Sequence, residues 1–158
     1  MPRKANNFGT FRNTHVFKCE VCGRNTRDTG QGVDHLCEDC YELTGIDNSI
    51  NDNGYLPGSP DFEHYLPSIM RHLAHIAKLG GNVAEVIRCN DFCFPRTAGK
   101  FVIATKAGDV FAGALYGFKA AGYNDPAVFD SYAEAVQHAI EHKIVKSPEA
   151  LTVKAVES

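Results

Sequence analysis

Four of the six cysteines fall within one short stretch, "FKCEVCGRNTRDTGQGVDHLCEDCYELTG", with the spacing Cys19-x2-Cys22-x14-Cys37-x2-Cys40. Two Cys-x-x-Cys pairs about 15 residues apart let four thiolates close a tetrahedral shell around zinc, with metal–sulfur bonds near ~2.3 Å. A shell closed by four protein ligands keeps no open coordination position, so the ion expected is a single structural Zn2+. A segment of about thirty residues buries too little apolar surface to fold alone. The metal must therefore supply much of its folding free energy.

Gly23, directly after the first pair, suits a tight knuckle whose backbone N–H groups point at sulfur. Lys18, Arg24 and Arg27 offset the charge of a four-thiolate centre. The second pair opens "CEDCYELTG", in which Glu38, Asp39 and Glu42 occupy an early helical turn and Gly45 is a suitable residue to end the helix. A knuckle, a short hairpin and then cysteines at a helix start resemble a treble clef; a zinc ribbon, with both pairs on knuckles, is the alternative. His35 is a candidate for a hydrogen bond to a thiolate sulfur or for a substitute ligand. The plainer reading is an ordinary hairpin side chain.

Apolar content of 44% and charged content of 22% are those of a soluble globular chain. Runs such as "FVIAT" are far too short to span a bilayer, and "MPRKANNFGTFRNTH" contains no apolar export segment. The expectation is a reducing cytoplasm, that of a bacterial host if the gene is phage-borne, where paired cysteines more often hold metal than bond to each other. The net charge of −3 is unevenly spread. Residues 1–33 hold six Lys/Arg against two acids, giving +4, and the remainder holds ten against seventeen, giving −7. A basic head on an acidic body steers that head toward phosphate.

Four segments follow from composition. Residues 1–16 read as a flexible basic arm, 17–46 as the zinc module, 47–61 as a linker ("DNSINDNGYLPGSPD" is crowded with turn formers) and 62–158 as an α+β body. In the body, Ile69, Met70, Leu73, Ile76 and Ala77 share one helical face, with Pro67 in the first turn and Gly80-Gly81 as the stop. "NVAEVIRCNDFCFP" is ambiguous between helix and strand. Strands are predicted near 101–106 and 110–118, a helix near 131–143 capped by Ser131 and Glu134 with Tyr132, Val136, Ala139 and Ile140 as its buried stripe, and a last strand near 150–156. Cys89 and Cys93 read as free buried thiols. His72 with His75, and His138 with His142, read as solvated helix flanks.

"CEVCGR…VDHLCEDC" resembles the zinc-containing HNH endonucleases, whose Asp-His, matched by Asp34 and His35, holds a divalent metal and activates water. That family places a long loop between its Asp-His and the second pair, where only Leu36 intervenes here. It also needs a metal-binding His after the second pair, where Tyr41 stands. Without a second metal ligand, metal-assisted hydrolysis lacks its template. "VFDSYAEAVQHA" resembles the strand-to-helix start of plant ethylene-response factors and integrase arm-binding domains. Those present Arg and Trp to the major groove, against Lys100, Lys106 and Lys119 here and no Trp. The opening "F-K-C-x-x-C-G-R-x-T-R-D-T" resembles small four-cysteine proteins of phages and mobile elements, which implies a zinc module and an accessory role but no reaction.

The function expected is therefore non-enzymatic. Arg12, Lys18, Arg24 and Arg27 would contact nucleic-acid phosphate, with Phe8, Phe11 or Phe17 available for stacking. The alternative is a module that binds a host or virion protein. An HNH-like nuclease is the remote third reading, and neither a membrane nor a small-molecule substrate is implied.

Overall fold

The computed structural model describes residues 16–27, 35–96, 98–145 and 147–156. It begins with a small antiparallel hairpin, β1 (Val16–Lys18) and β2 (Asn25–Arg27), in the register Val16↔Arg27 to Lys18↔Asn25. Three helices follow: α1 (Glu38–Asn53), α2 (Pro60–Lys78) and α3 (Val83–Cys89). An antiparallel sheet is then built on β3 (Ala98–Thr105), joined by β4 (Val110–Phe111), β5 (Phe118–Lys119), β6 (Phe129–Ser131) and β7 (Leu151–Ala155). Helix α4 (Tyr132–Glu141) and a 3-10 turn (Pro148–Ala150) lie between β6 and β7. The architecture is α+β, with the cysteine module at its N-terminal end.

Strand β3 organises the sheet. Phe101 is paired with both Phe129 and Ala155, and Ala104 with both Val110 and Thr152, so β7 takes one edge of β3 while β6 and β4 divide the other. Val102, Ile103 and Ala104 are buried, as are Leu151 and Val153 of β7. Helix α4 covers this sheet through Tyr132, Val136, Ala139 and Ile140, the stripe expected from its spacing. Ser131 caps it by accepting from the Glu134 N–H at 3.1 Å, while the Glu134 carboxylate accepts from the Asp130 N–H at 3.2 Å. The Tyr132 ring meets Phe62 of α2 and Phe101 of β3 edge-on, with centroids 5.5 and 6.0 Å apart. These contacts join sheet and helices in one core, and Cys19, Cys22, Cys37 and Cys40 belong to the same continuous cluster.

Several boundaries differ from those predicted, each for a physical reason. Helix α1 does not stop at Gly45 but runs to Asn53, so residues 47–53 of the expected linker are helical. Asp47 and Ile50 are the cause. Ile50 is fully buried, and the Asp47 carboxylate accepts from the backbone N–H groups of Phe92 and Cys93 at 2.9 and 2.8 Å. Tertiary contacts thus override the weak helix propensity of Asn and Asp. The helix ends at Gly54, whose left-handed backbone (φ 68°) lets the Tyr55 N–H return to the Ile50 carbonyl. Helix α2 starts at Pro60 rather than near Pro67, because buried Phe62 and Leu66 extend its apolar stripe by two turns and Ser59 caps the Phe62 N–H at 3.2 Å. Pro67 therefore lies inside the helix.

The ambiguous segment is helical over Val83–Cys89, capped by Asn82 accepting from Glu85 N–H. The expected strand at 110–118 is instead a hairpin of its own. Gly113 and Gly117 take positive φ (105° and 64°), reversing the chain so that Val110 pairs with Lys119 and Phe111 with Phe118. Of the two cysteines read as buried thiols, Cys93 is buried and Cys89 is exposed.

The turn after α2 carries the contact that seats the knuckle. A Cβ at Gly81 would lie 2.5 Å from Ile76 Cγ2 and 3.1 Å from both Cβ and Sγ of Cys22. The neighbouring Asn82 N–H donates to the Cys22 carbonyl at 2.8 Å. Replacing Gly81 by Ala should destabilise the protein by about 1–3 kcal/mol, because the buried Ile76 side chain, Cys22 or the backbone must shift. Denaturant unfolding of Gly81→Ala measures this, with Gly45→Ala, where a Cβ meets nothing, as the control.

Candidate metal centre

The first two cysteines sit on the β1–β2 knuckle. The Cys19 N–H donates to the Arg24 carbonyl at 2.9 Å and the Gly23 N–H returns to the Cys19 carbonyl at 3.0 Å, a turn that Gly23 allows by taking φ 78°. The second two belong to the start of α1. Cys37 is the N-cap, with extended backbone, its sulfur accepting from the Cys40 N–H at 3.4 Å, and Cys40 lies in the first turn. One pair on a knuckle and one on a helix start is the treble-clef arrangement rather than the ribbon. The Glu20 N–H donates to the His35 carbonyl at 2.9 Å, which fastens the knuckle to the segment that leads into α1.

All four sulfurs lie within 4.8 Å of one another, and the residues are 0–3% exposed. For a metal–sulfur bond near ~2.3 Å a regular tetrahedron has an edge of about 3.8 Å. The separation of Cys22 Sγ and Cys37 Sγ is 3.8 Å. The donor set therefore fits one four-coordinate metal ion held entirely by protein sulfur.

Electrostatics point the same way. A hydrogen bond from the Cys40 thiol, aided by the Cys40 N–H and the Arg24 guanidinium, lowers the Cys37 pKa to about 4 against the opposing effect of burial. The same hydrogen bond, with burial and the charges of the other sulfurs, pushes Cys40 far up. Burial first, and repulsion from Cys37 and Cys19 after it, pushes Cys22 up to about 11. One thiolate forms readily, and its negative charge resists the next. Only a cation in the middle makes full ionisation favourable. The amino end of α1 adds a favourable dipole for the Cys37 and Cys40 sulfurs.

Around this cluster lies a charged network that the sequence did not announce. Arg24, expected on the outer surface, is buried and turned inward. Its Nη2 donates to Asp39 Oδ2 at 2.9 Å. Asp39 accepts in addition from His72 Nδ1 at 2.8 Å and His75 Nδ1 at 2.6 Å. Burial alone would raise the Asp39 pKa, but the two histidine bonds and the charges of His75 and Arg24 outweigh it and hold the carboxyl below its usual range. His72 is partly buried and His75 about half exposed, yet both turn to Asp39 and bind helix α2 to the cysteine module. The i,i+3 spacing of the two histidines was visible in the sequence, but nothing there paired them with an acid more than thirty positions away.

The remaining candidates are spread out. Lys18 is exposed on β1, and His35 is exposed just before α1. Arg12, Asp34 and the side chain of Arg27 lie outside the described residues. Tyr41 follows Cys40 and is exposed. His138 is half-buried, stacked on His142 at 4.1 Å and lying against Phe111 and Phe129. Lys100 is paired with Asp130 at 2.7 Å. No family model matches the sequence, and no curated protein or solved structure is similar to it. No helix among the described residues is long and apolar enough to cross a membrane.

Cys37→Ser removes a candidate ligand and leaves three sulfurs, so its metal content should fall below the one ion per chain expected of the wild type and its melting temperature should drop. Cys89→Ser, outside the cluster and exposed, should change neither. Elemental analysis of both purified variants checks this.

Proposed function

We propose that the chain is a non-enzymatic accessory protein, built around one structural zinc ion, that acts by binding a partner protein. The observation that carries the reading is the closed and buried set of four sulfurs with Arg24 folded in against it. Zinc is the ion that tetrahedral sites of four thiolates commonly hold in small domains. A site with every ligand supplied by cysteine has no position for water or substrate, which supports a structural role. Six cysteines without a disulfide fit a reducing cytoplasm.

The choice of partner turns on which groups face outward. Arg24 is buried and spent on Asp39, so the knuckle offers phosphate less cationic surface than its sequence suggests. In contrast, Leu56 is 70% and Phe92 46% exposed, and both line one groove with Tyr55, Pro57, Pro95 and the ion-paired Asp91 and Arg96. Exposed apolar side chains grouped in a groove support a protein surface as the target. The resemblance of the opening segment to small phage-borne proteins makes a host or virion protein the class of partner. Exposed Lys18, in a segment with a net +4 over residues 1–33, supports nucleic acid as the second reading.

Fluorescence anisotropy of zinc-loaded protein against labelled single-stranded DNA, duplex DNA and RNA separates the two. The expected result is no saturable binding even at low salt. Saturable binding whose log affinity falls steeply with log salt would transfer the function to nucleic acid, since that slope counts phosphate contacts. Purified protein without one zinc per chain would overturn both readings.

A further inference from the structure

The four ligands account for the metal shell but not for the side chains behind it. The Asp39 carboxylate sits between Cys37 and Cys40 in sequence, is 7% exposed, and collects three donors from two distant segments. An ionised carboxylate only accepts, so both histidines carry their proton on Nδ1 when they bond to it. The guanidinium of Arg24, equally buried, comes from the knuckle that carries Cys19 and Cys22, so its bond to Asp39 links the two cysteine-bearing segments. Its Nε has no hydrogen-bond partner among the described residues. A buried cation with a donor left over is an expensive arrangement unless it serves the anion beside it.

We propose that Arg24, held by Asp39 and through it by His72 and His75, is a positioning residue for the metal centre that locks the knuckle cysteines against the start of α1 and slows loss of the ion. This rests on the zinc reading above and extends it to helix α2. The physical steps are short. The charge-assisted bond between Arg24 and Asp39 ties the segment bearing Cys19 and Cys22 to the segment bearing Cys37 and Cys40, so the four sulfurs separate less readily when a competing ligand attacks. The planar guanidinium suits this buried bond, which a flexible ammonium would make less well. The histidines hold the carboxylate from α2. The helix that supplies no ligand thereby takes part in retaining the metal, and the module and body are coupled through charge as well as packing.

The test uses the full chain loaded with zinc and, separately, with cobalt(II), whose thiolate-to-metal absorption reports on the sulfurs directly. Zinc transfer to a chromogenic chelator is timed for wild type, Arg24→Met, Arg24→Lys, Asp39→Asn and His75→Ala. Loss of a supporting hydrogen bond around a metal site commonly costs about 10–100-fold in affinity. Arg24→Met and Asp39→Asn should therefore release zinc about tenfold faster or more, and Arg24→Met should shift the cobalt charge-transfer band. Arg24→Lys should fall between Arg24→Met and wild type. His75→Ala is a conservative probe, because that ring is half exposed, and it should speed release without loss of folding. A group that merely filled space would lower the melting temperature without moving the cobalt band. Zinc-loaded variants with wild-type release and an unchanged band would overturn this proposal alone. A wild-type chain that holds no zinc would overturn it together with the function proposed above.

Discussion

The convergence of four cysteine sulfurs is the constraint on which the N-terminal part of the structure depends. Strands β1 and β2 have three residues each, and a two-stranded ribbon of that size has no independent stability in water. What fixes it is the crossing of its knuckle with the start of α1, where like-charged thiolates meet in a buried space. That meeting is unfavourable for bare thiolates and strongly favourable around a divalent cation. A bound metal ion would convert that repulsion into the anchor of the knuckle.

From that anchor the chain is tied to the body in three places, each of a different physical kind. Gly81 allows a backbone approach to Cys22 that any side chain would obstruct, and the adjacent amide bonds the Cys22 carbonyl. Asp39 gathers Arg24, His72 and His75, joining knuckle, α1 and α2 through ionic hydrogen bonds. Asp47, two turns further along α1, receives the amides of Phe92 and Cys93. Burial raises the Asp47 pKa, while the two amides partly compensate. Two buried acids on one helix thus meet opposite net fates, because Asp39 has cationic partners and Asp47 has only dipoles.

How much of this was legible in the sequence varies with the range of the interaction. The convergence of the four cysteines was legible, since Cys-x-x-Cys spacing is local and its chemistry has few other uses. The stripes of α2 and α4 and the Ser131 cap were legible because they repeat with the helix period. The linker misled: Asp, Asn and Ser at 47–53 favour turns, and only the amides of Phe92 and Cys93, more than forty positions away, explain the helix. The strand expected at 110–118 broke because two glycines outweighed its apolar run. Arg24 was legible as a counter-charge to the thiolates but not as buried, and His72 and His75 were taken for solvent-facing because their acid lies on another helix. Local rules found the donors, and long-range pairing decided what surrounds them.

The central claim is that the metal holds the knuckle and couples it to helix α2. Hydrogen exchange, followed by mass spectrometry on the metal-loaded chain and again after chelation, tests it most directly. The account predicts joint loss of protection in β1, β2, the first turn of α1 and the Asn82 amide, while β3 and β7 keep theirs. Unchanged protection of the knuckle and of Asn82 after complete metal removal would contradict it.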